Sequence, residues 1–372
     1  MPSWALRRTI AAGPDLWVST CRAVFRAYSG PGVQMRKPGR LNPKKIAKLG
    51  RAPSDQPRRT RSDVKLLLEA QPEVVFAQCR SPRYWPIWLF AFWLRCTAAL
   101  PWIVAIKIHK ALGRVAGALS GRRRVVRRNL ELCFPELGSA EVQRIMAENS
   151  ANVGAFFAEL AFAWYGSAER RAELFRFEGL EHLHAALAKG KGALLYSGHF
   201  TPIEICAPTI KSQVPLYAFM FKPRRNPLMN ALQNRGRGGY AHVSVTNDDV
   251  REMLALLARN AVVWYSPDQA RVDSGELVPF FSQPAMTSTA PSRLARLSGA
   301  TIVPLFFRRL PDDSGYVLRF HAPLPDLPSR DAIDDTTRLT AVLEGFIREC
   351  PEQYFWTHRK FKDRPGSPDV YD

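Results

Sequence analysis

The chain has 372 residues, 46% of them hydrophobic, which excludes a wholly disordered polypeptide and allows one large domain with added segments or two modest ones. Its formal net charge is +20, and fifteen basic against three acidic residues within positions 1–65 supply twelve of those charges. Such a balance attracts polyanions (nucleic acid, anionic lipid or an acidic protein) without choosing among them.

Six cysteines, at 21, 79, 96, 133, 206 and 350, include no CxxC pair and no cluster with histidines. They read as reduced thiols in a cytoplasmic setting, with no metal site and no cofactor. Arg7 and Arg8 are not followed by a clean apolar run before Pro14 and Asp15, so no secretory signal is evident.

Residues 1–80 are rich in Pro, Arg, Gly and Ser and lack sustained periodicity, as in "RKPGRLNPKK" and "RAPSDQPRRTRSD". They read as a basic, disordered extension, either a functional arm or the product of an upstream start. The segment 85–112 differs. Its stretch "PIWLFAFWLRCTAALPWIVAI" (86–106) is long enough to span a bilayer, although Arg95 sits near its middle and Pro101 interrupts it. A central arginine costs about 2.5–3.5 kcal/mol on insertion, which apolar neighbours offset. Trp85, Trp88, Trp93 and Trp102 suit an interface, and five arginines follow at 122–128. The pattern predicts a membrane-anchoring helix, spanning or deeply embedded, with a buried core helix as the alternative.

From about 139 the pattern is globular. A helix is expected from Ser139, its N-cap, to Trp164. Apolar strands are expected at "GALLYS", "VPLYAFM" (214–220), "AVVWYS" (261–266), "ATIVPLFF" (300–307) and "YVLRFHAPL" (316–324). Between them lie "NDDVREMLALLARN", an amphipathic helix capped by Asn247, and, late in the chain, "DAIDDTTRLTAVLEGFIREC". Strands alternating with helices predict an α/β fold, a central mixed sheet covered by helices. GxGxxG and Walker loops are both missing from the sequence.

In "LLYSGHFTPIEI" (194–205) His199 directly follows a strand end, where ligands of α/β sheets bind. An imidazole there suits a general base. His199 and Glu204, five apart, would lie about 140° apart on a straight helix, so they meet only if Thr201-Pro202 turns the chain. Glu204 would then fold back onto the imidazole and fix its tautomer. Thr201-x-x-Glu204 is also a capping box, a reading with no catalysis in it. A G-x-S-x-G elbow is missing, and Cys206 has apolar flanks. A base without an enzyme nucleophile points to direct attack by a substrate hydroxyl on an activated carbonyl.

The His199-x4-Glu204 spacing resembles the H-x4-D/E motif of the lysophospholipid-type acyltransferases. The segment 85–365 more closely resembles the lipid A biosynthesis lauroyl acyltransferase family, in "NLELCFPEL" (129–137), "FKPRRNPLMNALQNRGR" (221–237), "VWYSPDQ" (263–269), "VPFFSQPAMTST" (278–289) and "PEQYFWTHRKFKDRPG" (351–366). Any one block is weak; their order and spacing together are specific. The resemblance implies a glycerolipid acyltransferase-like fold, with the catalytic domain over 113–366. The reaction it implies moves a fatty acyl chain from acyl carrier protein to a hydroxyl on a 3-hydroxyacyl chain of a Kdo-lipid IVA-type precursor, at the bacterial inner membrane with the site facing the cytoplasm. His199 matches the family's base and Glu204 its partner.

Lys222, Arg224, Arg225, Arg235 and Arg237 then make a basic neighbourhood suited to the lipid's phosphates or sugar acid, or else a solvated face. Asn226 is a candidate contact or a helix cap. Asp268 and Gln269 end a strand and could face the crevice of His199, with Asp268 alternatively capping a turn. Phe280, Phe281 and Thr287 shape an acyl groove or cap a helix. Lys222 stands where many relatives carry arginine, and Ala270-Arg271 alters the loop after Asp-Gln. An acyltransferase of the same fold acting on a lysophospholipid or ornithine lipid is the near alternative. A nucleic-acid-binding protein is the distant one, and it is disfavoured by the Trp-rich segment and by the lack of any nucleic-acid module.

Overall fold

The computed structural model describes residues 72–246, 249–269, 275–362 and 369–371. The extension over 1–71, Cys21 and the cap expected at Asn247 lie outside the described residues. Helix α1 (Pro72–Gln78) occupies the end of the stretch read as extension; its Val75 and the following Cys79 are buried against Leu228 and Leu232.

The apolar stretch is two helices, not one. Helix α2 (Trp85–Ala99) ends at the extended Leu100, and Pro101 occupies the N-cap of α3 (Trp102–Leu119). Proline lacks an N–H and fixes φ, so it suits a helix start and breaks a helix interior. Among the described residues no helix is long and apolar enough to cross a membrane. The single helix expected over 85–112 is thus a helical pair. Arg95, unfavourable at a bilayer centre, has its guanidinium over the Tyr165 ring.

Helix α4 (Arg123–Cys133) leads to α5 (Ser139–Tyr165), against which α2 and α3 pack. Ser139 is the first helical residue; Gly138 holds the cap position. Gly113 of α3 and Gly154 of α5 let the two backbones touch, since a Cβ on Gly154 would meet the Gly113 Cα at 2.7 Å. Leu94, Ala98, Leu160 and Ala161 fill the α2–α5 contact. The outer faces of α2 and α3 leave Trp85, Leu89, Phe92, Ile108, Leu112 and Val115 exposed.

The short α6 (Ala168–Ala172), capped by the Ser167 hydroxyl, precedes the sheet. Seven strands form it: β1 (Phe175–Glu178), β2 (Ala193–Tyr196), β3 (Tyr217–Phe221), β4 (Val243–Thr246), β5 (Val262–Tyr265), β8 (Thr301–Arg309) and β9 (Tyr316–Phe320), in the order β1-β9-β8-β2-β5-β3-β4. Every neighbouring pair is parallel except β8–β9, so the sheet is mixed, as the alternating pattern predicts. The central strand β2 is buried at all four positions, which is why it reads as a continuous apolar run. Helices α7 (Leu180–Ala188), α8 (Ile203–Cys206), α9 (Pro227–Arg237), α10 (Val250–Ala258), α11 (Ala290–Ser298) and α12 (Ala332–Glu349) form the crossovers and covering layers. Strands β6 (Glu276–Phe280) and β7 (Gln283–Thr287) form a separate antiparallel hairpin.

A buried polar link fastens α5 to this sheet. Arg309 of β8 donates to Glu159 at 2.7 Å and to Asn152, and the Tyr316 hydroxyl donates to the same Glu159 oxygen at 2.8 Å. Buried charges of this kind persist only when paired and hydrogen-bonded.

Candidate active site

Strands β2 and β5 are central, parallel neighbours, and Tyr196 pairs with Tyr265 at their carboxyl ends. His199 lies three residues beyond the first end and Asp268 three beyond the second. Equal run-out from paired positions brings the two side chains together: His199 Nδ1 is 2.6 Å from Asp268 Oδ1. The backbone N–H of His199 donates to the other carboxylate oxygen at 3.0 Å. The imidazole is 30% exposed and the carboxylate 1%. With Nδ1 bearing the proton toward an ionised carboxylate, Nε2 is the basic nitrogen.

Burial alone would push the Asp268 carboxyl up, but the charge and hydrogen bonds of His199, with Lys360 nearby, hold it well below the usual carboxylate range. The Tyr354 hydroxyl donates to Asp268 Oδ2 at 2.7 Å. The buried Lys360 ammonium donates to the Asp268 carbonyl at 2.8 Å, to the Met286 carbonyl at 3.0 Å and to the Thr287 hydroxyl at 3.1 Å. Burial lowers Lys360 to about 8. The C-terminal segment also fixes the backbone of the turn. Phe355 N–H donates to the His199 carbonyl at 3.0 Å, and Thr201 N–H to the Gln353 carbonyl at 2.7 Å. A Cβ on Gly198 would lie 3.3 Å from the Tyr354 ring and 2.6 Å from Leu343 Cδ1 of α12, so glycine lets both pack closely against the turn.

The contact expected between His199 and Glu204 is replaced by the one to Asp268. Pro202, not Thr201, holds the cap position of α8, with no side-chain cap bond, so the capping box does not form. From the first turn of α8 the Glu204 carboxylate is met by the Arg237 guanidinium, through both Nε (3.2 Å) and a shorter contact from Nη2, and by the Tyr240 hydroxyl at 2.9 Å. The physical reason is reach: one helical turn directs residue 204 toward the end of α9, while the loop from β5 already fills the Nδ1 side of the ring.

The remaining candidates separate. Arg237 is bound to Glu204. Arg235 pairs with Glu73 at 3.0 Å and lies over the Phe76 ring. The Arg224 Nε donates to Gln233, and the Lys222 carbonyl accepts from the Gln233 amide. Asn226 caps α9, its side-chain oxygen accepting from the N–H groups of Leu228 and Met229. Gln269 is exposed beside Asp268. Phe280, Phe281 and Thr287 are buried in the β6–β7 hairpin, where Thr287 accepts from Lys360. Cys206 is fully buried, which pushes its thiol far up and leaves it inert. Tyr354 and Lys360 were not singled out by sequence reasoning. They sit in the block "PEQYFWTHRKFK", where the only available signal was resemblance.

A buried carboxylate holds a partly exposed histidine at the sheet's carboxyl edge, and Cys206 is packed away from it. The profile of the bacterial lipid A biosynthesis acyltransferases matches residues 76–363. The chain is 36% identical over 294 residues to the lipid A biosynthesis lauroyltransferase of Escherichia coli K12, covering 78% of this chain and 96% of that one. It is 31% identical to the palmitoleoyltransferase of that organism (80% and 100% covered) and 30% identical to its myristoyltransferase (78% and 92%). The chain belongs to the bacterial lipid A biosynthesis acyltransferase family, and its reaction class is acyl transfer.

Proposed function

We propose that the protein transfers a fatty acyl chain from an acyl carrier protein thioester to a hydroxyl on a 3-hydroxyacyl chain of a Kdo-lipid IVA-type precursor. The observation that carries this reading is the His199–Asp268 pair at the edge of β2 and β5. His199 Nε2 takes the proton of the lipid hydroxyl as its oxygen attacks the thioester carbonyl carbon. The tetrahedral adduct then collapses, the carbon–sulfur bond breaks, and the leaving thiolate receives that proton from the imidazolium. The products are an ester and the carrier's free thiol. Asp268 holds the tautomer and stabilises the transient imidazolium, and Tyr354 and Lys360 hold Asp268. A positioned base contributes about 10²–10⁴ in rate. Glu204, with Arg237 and Tyr240, positions the turn that carries His199.

The enzyme works at the cytoplasmic face of the inner membrane. Support comes from the exposed apolar faces of α2 and α3, from Trp85 at the end of α2, and from the arginine run at 122–128 that follows them. The pair would lie on the leaflet as a monotopic platform. The experiment is an assay of the full chain in membranes with purified lipid A precursor and a series of acyl carrier protein thioesters. Wild type should form the acylated product and His199→Ala should lose nearly all turnover. Equal rates in the two would remove His199 from the mechanism. Transfer to lysophospholipid alone would move the substrate to another lipid class.

A further inference from the structure

The segment that fixes the dyad has a second side. Phe355 and Lys360 bond the His199 and Asp268 backbones, whereas His358, Arg359 and Lys362 line a polar cavity of about 410 Å³ that also receives Arg122 and Gln269. Three cationic side chains and a histidine thus converge one residue away from Asp268. The neighbourhood is braced. Asn129 of α4 donates to the carbonyls of Trp356 (2.7 Å) and His358 (2.8 Å), and the Arg359 guanidinium lies over the Tyr371 ring. Helix α4 starts at this cavity: Arg122 is its N-cap residue and supplies no side-chain cap bond, so the positive end of an eleven-residue helix adds to the field. The Asp369 carboxylate stands 3.7 Å from Arg359, beyond good hydrogen-bond distance. An apolar groove between α3 and α5, about 500 Å³, opens on the same Arg122 and Thr357.

We propose that the cavity formed by Arg122, His358, Arg359 and Lys362 binds a phosphoryl group of a substrate and sets the distance between that group and Nε2 of His199. Charge-assisted bonds from a guanidinium fork match phosphate geometry, and the shared wall of residues 355–360 couples the anion's position to the base. This rests on the acyl-transfer reading, and it differs from the assignment of phosphates to Arg235 and Arg237, whose side chains are engaged with Glu73 and Glu204. Two sources carry the required chemistry: the phosphate of the glycolipid acceptor and the phosphodiester of the donor's pantetheine arm.

The test is calorimetric titration of the full chain in detergent micelles with two probes, glucosamine 1-phosphate and 4′-phosphopantetheine, each to about 10 mM. At least one probe should bind wild type. Arg359→Gln and Arg122→Gln should each raise its Kd at least tenfold. Arg319→Gln, on the surface pair with Glu178 and Glu349, should leave it unchanged. Binding of the sugar phosphate alone assigns the cavity to the acceptor, binding of the pantetheine probe alone to the donor, and binding of both to phosphoryl groups generally. No binding by wild type, or wild-type Kd values in both glutamine variants, overturns the proposal. Because binding is read without turnover, a wild type that binds the anion yet transfers no acyl group sinks the reaction reading and leaves the cavity assignment standing.

Discussion

His199 and Asp268 occupy matching positions, three residues past the paired strand ends Tyr196 and Tyr265, and meet at 2.6 Å although 69 residues separate them. Adjacent parallel strands release their loops at the same edge of the sheet, so the register places both residues there, and the bonds from the His199 ring and backbone to Asp268 close the contact. The turn containing Thr201 and Pro202 sets the ring's position, not its partner.

Glu204 and Arg237 form a separate, largely buried ion pair, with side-chain exposures of 6% and 17%. Glu204→Gln leaves the Arg237 guanidinium without its counter-charge, and breaking such a pair costs about 3–5 kcal/mol. Chemical denaturation should show a loss of that order. The double variant Glu204→Leu, Arg237→Leu should recover part of it, since no buried charge is then stranded.

Lys360 lies under Asp268 with its ammonium lowered to about 8. Its folded value is below the unfolded one, about 10.4. The penalty for burying the charged form is therefore fully present below pH 8 and is relieved as pH rises between roughly 8 and 10.4. Wild-type unfolding free energy should carry a rising component across that window that Lys360→Met lacks. Parallel pH–stability curves for the two proteins would contradict this.

Gly154 and Gly113 set the crossing of α3 on α5. Gly154→Leu forces a side chain into the Gly113 backbone, and overpacking costs about 1–3 kcal/mol or more. The melting temperature should drop by several degrees, and the exposed outer faces of α2 and α3 should shift relative to the sheet, read as faster amide exchange in α3.

The membrane platform is tested by partition. Replacing Leu89, Phe92, Ile108 and Leu112 with serine removes exposed apolar area without touching the core. Each such side chain contributes up to about 1.5–3 kcal/mol when buried in lipid. Binding to anionic vesicles should fall at least tenfold while the unfolding midpoint stays put. Unchanged partition would place the contact elsewhere on the chain.

Much of the fold was legible in the sequence. The buried strands β2, β5 and β8 announce themselves as unbroken apolar runs, and α12 as a late helix, to which the structure adds Asp331 at the N-cap. The half-exposed edge strands β1 and β4 left only short alternating patterns and went unread. Pro101 was visible as an interruption, yet hydropathy over 86–106 outweighed it, and the break into α2 and α3 took the structure to see. In the site, His199 was legible from its place after a strand. Its partner was misjudged because Glu204 is near in sequence, whereas strand order, which no local pattern encodes, puts β5 beside β2. Tyr354 and Lys360 reach Asp268 from 86 and 92 residues away, so they lay beyond any spacing argument.

The central claim is that Asp268 orients and supports the base. It is tested most directly by single-turnover acyl transfer with Asp268→Asn, compared with wild type and His199→Ala across the neutral pH range. An asparagine keeps the shape but removes the charge that fixes the tautomer and stabilises the imidazolium, so turnover should fall about 10³–10⁴-fold, close to the His199→Ala level. Turnover within about tenfold of wild type, in a variant with an unchanged melting profile, would contradict the account.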